Sequence, residues 1–137
     1  MSTTDFNQQV IDEFRERGGT VGGMFEGATL LLLHHRGAKS GAERITPLVY
    51  LPDGDRYVIF GSKGGAPTNP AWYHNLLAHP RVAIEVGGNT VEVVAEELAG
   101  AERDRLFAAQ VELMPAFADY QRNTERLIPV LALTPEK

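Results

Sequence analysis

The chain has no cysteine, no long apolar run and no basic block, and each absence narrows what it can be. Without cysteine there are no disulfides, no thiolate nucleophile and no Cys-type zinc site. No apolar stretch approaches the ~20 residues that span a bilayer, so a soluble protein is expected. The opening MSTTDFNQQV lacks the basic start and apolar core of a secretory signal, which makes the cytoplasm the expected compartment. Lysine and arginine total 13 against 18 acidic residues, a net charge of −5. No cationic stripe is long enough to track a phosphate backbone, so nucleic acid is not an expected partner. The cations are unevenly placed: Arg36, Lys39, Arg44 and Lys63 fall in one short region, while most acids lie in 5–26 and 92–125.

At 137 residues the length fits one domain, with an N-terminal helix and lead-in over 1–26 and the remainder over 27–137. Thr4 or Asp5 can cap a first helix whose apolar residues Phe6, Val10, Ile11 and Phe14 recur at helical spacing, with Gly18-Gly19 ending it. The run ATLLLLHH, 28–35, is short, lies between glycines and suits a strand buried on both faces. Two arms around Pro52-Asp53-Gly54-Asp55 read as a hairpin over 44–61, with Pro47 marking an edge or a bulge because it lacks a ladder donor. Asn69-Pro70 predicts a helix start, the Asn capping and the Pro at the first helical position. That helix carries Trp72, Tyr73, Leu76 and Leu77 and stops before Pro80. A second hairpin follows over 81–98 with Gly87-Gly88-Asn89 as its turn, then helices over 100–113 and 115–125 and a last strand in LIPVLALT. About six strands joined mostly as hairpins favour a mainly β, α+β fold: an antiparallel barrel or curved sheet with peripheral helices.

The usual catalytic sets fail. Ser62 in F-G-S-K-G misses the G-x-S-x-G nucleophile elbow, and GAKSG at 37–41 lacks the glycines and following helix of a Walker loop. His34 and His35 point to opposite faces of a strand, and His74 and His79 do not share a helical face, so no metal site is expected and the histidines read as solvent-facing or at a cofactor's rim. Carboxylates such as Glu96-Glu97 and Glu102 to Asp104 read as solvated helical surface. What remains is a pair of basic, glycine-rich segments. Lys39 and Ser40 sit on a turn between strands, Arg44 opens the next strand, and Lys63 lies on the loop leaving the hairpin. Neighbouring strands would bring these cations together, glycine amides could approach an anion, and the Asn69-Pro70 helix start would add partial positive charge. A phosphate or carboxylate site is expected there, with plain solvated turns as the alternative. Trp72 and Tyr73 offer aromatic surface nearby, with core packing as the alternative for Trp72.

The segment LLLLHHRGAKSGAERITPLVYLPDGDRYVIFGSKGGAPTNPAWYHNLLAHPRVAIEVG resembles the deazaflavin-dependent nitroreductase family of actinobacteria, which includes quinone reductases dependent on coenzyme F420. The likeness rests on the glycine-basic-Ser-glycine turn, R-x-x-P-L, the strand ending S-K-G-G and the run N-P-x-W-Y-x-N-L, and extends from about Phe6 to the C-terminal IPV. It implies a split β-barrel related to FMN-binding oxidoreductases, with an 8-hydroxy-5-deazaflavin in a groove. By the same resemblance Lys39, Ser40 and Arg44 match positions that hold the coenzyme's phosphate and acidic tail. Thr46, Pro47 and Leu48 match the strand beside the ring, and Phe60, Gly61, Ser62, Lys63, Gly64 and Gly65 match the loop on phosphate, ribityl chain and ring. Trp72 and Asn75 match the helix closing the site, Tyr120 matches a substrate-pocket tyrosine, and Ser62 and Tyr120 are the candidate proton donors.

The implied activity is hydride transfer from reduced F420 to a small acceptor: a quinone, a nitroaromatic or an activated enone. FMN on the same barrel is the runner-up cofactor, and a non-catalytic deazaflavin carrier is the alternative outside catalysis. A monomer or homodimer is expected. Weak contact of the first helix with the inner face of a membrane is one option for its apolar stripe, but packing on the barrel fits its modest size better. Three departures leave the acceptor open: Ala38 stands where relatives are often basic, Val49 and Phe117 where some have tyrosines, and His34-His35 replace small hydroxyl residues.

Overall fold

The structure, a computed structural model, describes residues 3–17, 30–62, 65 and 68–136, with side chains from residue 8 onward. The expected helix stop at Gly18-Gly19, the rest of the lead-in and residues 27–29 lie outside the described residues, as do Lys63 and Gly64. Helix α1 covers Thr3–Glu16; strands β1 (Leu30–Arg36), β2 (Glu43–Val49), β3 (Leu51–Asp53) and β4 (Arg56–Phe60) follow. Then come α2 (Ala71–Ala78), β5 (Arg81–Val86), β6 (Asn89–Leu98), α3 (Gly100–Leu113), α4 (Ala116–Arg122) and β7 (Val130–Pro135). No described helix is long and apolar enough to cross a membrane.

Among the described residues, seven strands form one antiparallel sheet in the order β2-β1-β5-β6-β7-β4-β3. Its two edges, β2 and β3, are consecutive in the chain with Tyr50 alone between them. The sheet therefore curls until a single stretch supplies both edges, giving the split barrel expected from the resemblance. This corrects the hairpin read over 44–61. Glu43–Val49 pairs with β1, with Pro47 opposite Leu32, and Leu51–Asp53 pairs with β4. Two prolines explain the placement: Pro47 and Pro52 cannot donate to a ladder, so their stretch serves only where one side is unpaired. Pro52 and Asp53 belong to the strand, and the turn reduces to Gly54-Asp55, with Gly54 at φ 63° and the Asp53–Arg56 ion pair across it. The turn of the later hairpin likewise shrinks to Gly87-Gly88, Asn89 opening β6.

Strand alternation divides the core into three. Leu31 and Leu33 of β1, Ile59 of β4, and Leu131 and Leu133 of β7 face the barrel interior with Trp72 and Leu76 of α2. Val58, Phe60, Val130 and Ala132 face outward onto Leu106, Phe107 and Phe117 of α3 and α4. Leu30 and Leu32 face α1, whose Val10, Ile11 and Phe14 are buried against them. The four leucines of β1 are thus buried on both faces, as the run predicts. The apolar stripe of α1 is spent on the sheet, and Arg15 fixes its end through a two-pronged pair with Glu85 of β5, at 3.1 and 2.7 Å.

Phe14 is fully buried in that contact. Phe14→Ala is expected to lower the free energy of unfolding by about 3–5 kcal/mol, read by urea denaturation. Unchanged stability would mean that α1 is not part of the cooperative core.

Candidate functional site

The β1–β2 turn is tied within itself. Gly37 donates its N–H to Ala42 O and Gly41 donates to Gly37 O, both at 2.9 Å, while Ala42 N–H donates to Ser40 Oγ at 3.2 Å. Gly41 takes φ 71°, and a Cβ on Gly37 would lie 2.4 Å from Ser40 Oγ, so both glycines answer to the tightness of the turn. Lys39, Ser40 and Arg44 are exposed around it. Among the described residues, Arg36, Lys39 and Arg44 enter no ion pair, although the protein carries an excess of acid. Three cations without carboxylate partners at one end of one hairpin fit an external anion.

Helix α2 holds this turn in place. The Ala38 N–H donates to Asn75 Oδ1 at 2.9 Å, Asn75 Nδ2 lies 2.9 Å from His35 Nδ1, and His35 Nε2 lies 2.9 Å from Thr46 Oγ1. His35 and Asn75 are both buried. Burial, helped by the nearby charge of Arg44 and by His34, lowers the His35 pKa to about 4, so the ring is neutral at physiological pH. His35 was expected at the solvent or a cofactor rim; it is instead interior, because it shares the face of β1 that carries Leu31 and Leu33. His34, on the opposite face, reaches Glu85 at 2.6 Å and Glu43 at 3.4 Å.

The loop after β4 is moored by Arg126. Its Nη1 donates to Gly61 O at 3.0 Å and to Asn69 Oδ1 at 2.7 Å, and its Nη2 donates to Ser62 O at 2.8 Å. One guanidinium fork therefore holds both ends of the loop. Asn69 is thereby diverted from the capping role expected of it, and Pro70 occupies the N-cap without a side-chain hydrogen bond. Gly61 donates to Pro129 O, and a Cβ there would come within 2.9 Å of Pro129 Cγ. Gly65, at φ 83°, donates to Ser62 O, and a Cβ on it would sit 2.8 Å from Tyr120 O. The glycine amides expected to meet an anion at 37, 41, 61 and 65 are thus committed inside the protein. Gly61 and Gly65 let chain approach chain, whereas Gly41 supplies a positive φ.

The model of the F420H(2)-dependent quinone reductase family matches residues 7–135. The chain belongs to the F420H(2)-dependent quinone reductase family. An F420H(2)-dependent quinone reductase of Mycobacterium tuberculosis is 41% identical over 125 residues, covering 88% of this chain and 84% of that protein. A solved F420-H2 dependent reductase, FDR-A, is 39% identical with a TM-score of 0.70, covering 76% of this chain and 92% of that one. A further solved structure, described as a domain-swapped dimer, is 36% identical with a TM-score of 0.73, covering 96% of this chain and 99% of that one. Membership makes the protein an oxidoreductase whose cofactor is coenzyme F420.

The residues that the resemblance matches to a cofactor site are distributed unevenly. Lys39, Ser40 and Arg44 lie open to solvent, and Thr46, Pro47 and Leu48 are half-buried on the edge strand β2. Ser62 is half-buried, and Gly65 rests on the backbone of Tyr120, so the loop and α4 meet. Phe60, Trp72 and Asn75, matched to the cofactor site by the resemblance, are buried. Phe60 packs edge-on against Phe107 and Phe117, Trp72 lies in the interior core, and the Asn75 amide is engaged by Ala38 and His35. Each belongs to the buried face of its own element. A cleft of about 290 Å³ opens where β1 and β5 part, lined by His34, His35 and Arg36 but also by Glu43, Glu92 and Glu136. Those carboxylates make it a poor seat for an anion.

His35 also gives stability a pH dependence of definite sign. Unfolded, the ring titrates near 6.5; folded, near 4. Between those values the unfolded chain takes up a proton that the folded one refuses, so stability from neutral His35 is complete above pH 6.5 and declines as pH falls toward 4. Thermal unfolding followed from pH 7 to 4 is expected to show a smaller decline in His35→Gln than in the wild type. Parallel curves would contradict a buried neutral His35.

Proposed function

We propose that the protein transfers a hydride from reduced F420 to a quinone, and that it holds the coenzyme's phosphate and acidic tail at the β1–β2 turn. The observation that carries this reading is the group Arg36, Lys39 and Arg44, without ion-pair partners among the described residues, beside an edge strand whose matched residues are half-buried. When bound, the coenzyme supplies the hydride from its ring C5. The protein's part is placement and electrostatics. Lys39 and Arg44 bind the anionic portion through charge-assisted contacts, with Ser40 beside them. Thr46, Pro47 and Leu48 form the wall along the ring and exclude water from it. Gly61, Ser62, Lys63, Gly64 and Gly65 follow the chain between phosphate and ring.

Tyr120 stands on the acceptor side, adjoining Gly65, and its hydroxyl or that of Ser62 holds the proton that a quinone needs, with the hydride, to become a hydroquinone. Nitroaromatics and activated enones are read as slower acceptors in the same pocket. A similar solved structure described as a domain-swapped dimer supports a homodimer, which light scattering of the purified protein tests.

Steady-state oxidation of reduced F420 by a soluble quinone tests the assignment. Lys39→Ala and Arg44→Ala are each expected to raise KM for the coenzyme by roughly tenfold, the scale of one charge-assisted hydrogen bond, with a smaller change in kcat. Tyr120→Phe is expected to lower kcat more than it changes coenzyme affinity. KM values unmoved in both cation variants would remove the turn from the site, and the reverse pattern at Tyr120 would remove it from the acceptor side.

A further inference from the structure

The hydrogen bonds that join α2 to β2 run in one direction only. The Ala38 N–H can only donate, so the Asn75 atom facing it is the oxygen Oδ1. The Asn75 amide then turns its NH2 toward His35 Nδ1, which must accept through its lone pair. A protonated ring would set two donors against each other there, so His35 is neutral and its single proton is on Nε2. That proton is donated to Thr46 Oγ1. Thr46 is thereby fixed as the acceptor in this contact, and its own O–H is turned away from His35.

Thr46 is half-buried on β2, two residues from Arg44 and next to Pro47, on the sheet edge. Among the described residues no protein atom accepts from its hydroxyl. We propose that His35 is a positioning residue that, through this one-way chain, makes Thr46 a fixed hydrogen-bond donor to an acceptor atom of the bound coenzyme. The inference rests on the F420 reading above. It extends it by assigning the direction of the bond and the residue that sets it. A backbone amide supplies the direction, so solvent or pH near neutrality does not reverse it. The requirement on the ligand is an acceptor, a carbonyl or an anionic oxygen or nitrogen, facing β2.

The test titrates wild type, Thr46→Val, Thr46→Ser, His35→Phe and the Thr46→Val/His35→Phe double variant with oxidised F420. Fluorescence gives affinity, the visible absorption band of the bound coenzyme is recorded, and thermal unfolding is measured alongside. Thr46→Val is expected to weaken binding roughly five- to tenfold and to move the band, whereas Thr46→Ser stays close to wild type on both. His35→Phe is expected to weaken binding with Thr46 intact, and the double variant to lose less than the product of the two single losses. Should His35→Phe not fold, the Thr46→Val and Thr46→Ser pair decides alone. Wild-type binding with Thr46→Val unaltered in affinity and band, or single losses that multiply, overturns the proposal while leaving the coenzyme reading standing. Absence of F420 binding by the wild type removes both.

Discussion

The side-chain amide of Asn75 is the joint on which the site is assembled. It lies on the buried face of α2 and bonds the β1–β2 turn through Ala38 on one side and β1 through His35 on the other. A turn between two strands is ordinarily free to sway. Here the turn that carries Lys39 is fastened to a helix that is itself packed into the barrel through Trp72 and Leu76. An exposed cation held on a fixed backbone loses less entropy on meeting an anion than one on a mobile loop. The polar atoms needed for this are expensive to bury, and each has its partner; among the described residues no buried side-chain polar atom is left unsatisfied.

A second mooring acts on the other side of α2. Arg126 gathers Gly61 O, Ser62 O and Asn69 Oδ1, and Gly65 rests directly on the Tyr120 backbone. Gly61, Ser62 and Asn69 are thus pinned by one guanidinium, and Gly65 by a helix. Glycine is needed at 61 and 65 because a side chain would collide with Pro129 or Tyr120, a requirement of packing that accompanies any role toward the coenzyme. Exposed charge and backbone shape are thus divided between residues: Lys39 and Arg44 are exposed, while Asn75, His35 and Arg126 tie the surrounding chain in place.

Local patterns reached far into this fold. The four leucines of β1, the helix over Gly100–Leu113, the stop of α2 before Pro80 and the edge position of Pro47 are all legible from periodicity and proline chemistry. The transfer of the 43–53 stretch from one side of the sheet to the other is not, because closure of a barrel is decided by strands far apart in sequence. Asn69 shows the limit of a capping signal: its side chain has two possible partners, and Arg126, 57 residues away, takes it. Of the proposed site, the clustering of cations and the family pattern are visible in the sequence itself. His35 carried a signal in its alternation with Leu31 and Leu33, whereas nothing near Arg126 marks it as the anchor of a loop.

Titration of the purified protein with oxidised F420, repeated at rising salt and in the presence of excess FMN, is the most direct test of an anion-holding turn specific to the deazaflavin coenzyme. Saturable F420 binding that weakens as salt screens Lys39 and Arg44, and that FMN does not displace, is the expected result. Preferential binding of FMN, or F420 affinity indifferent to salt, would contradict it.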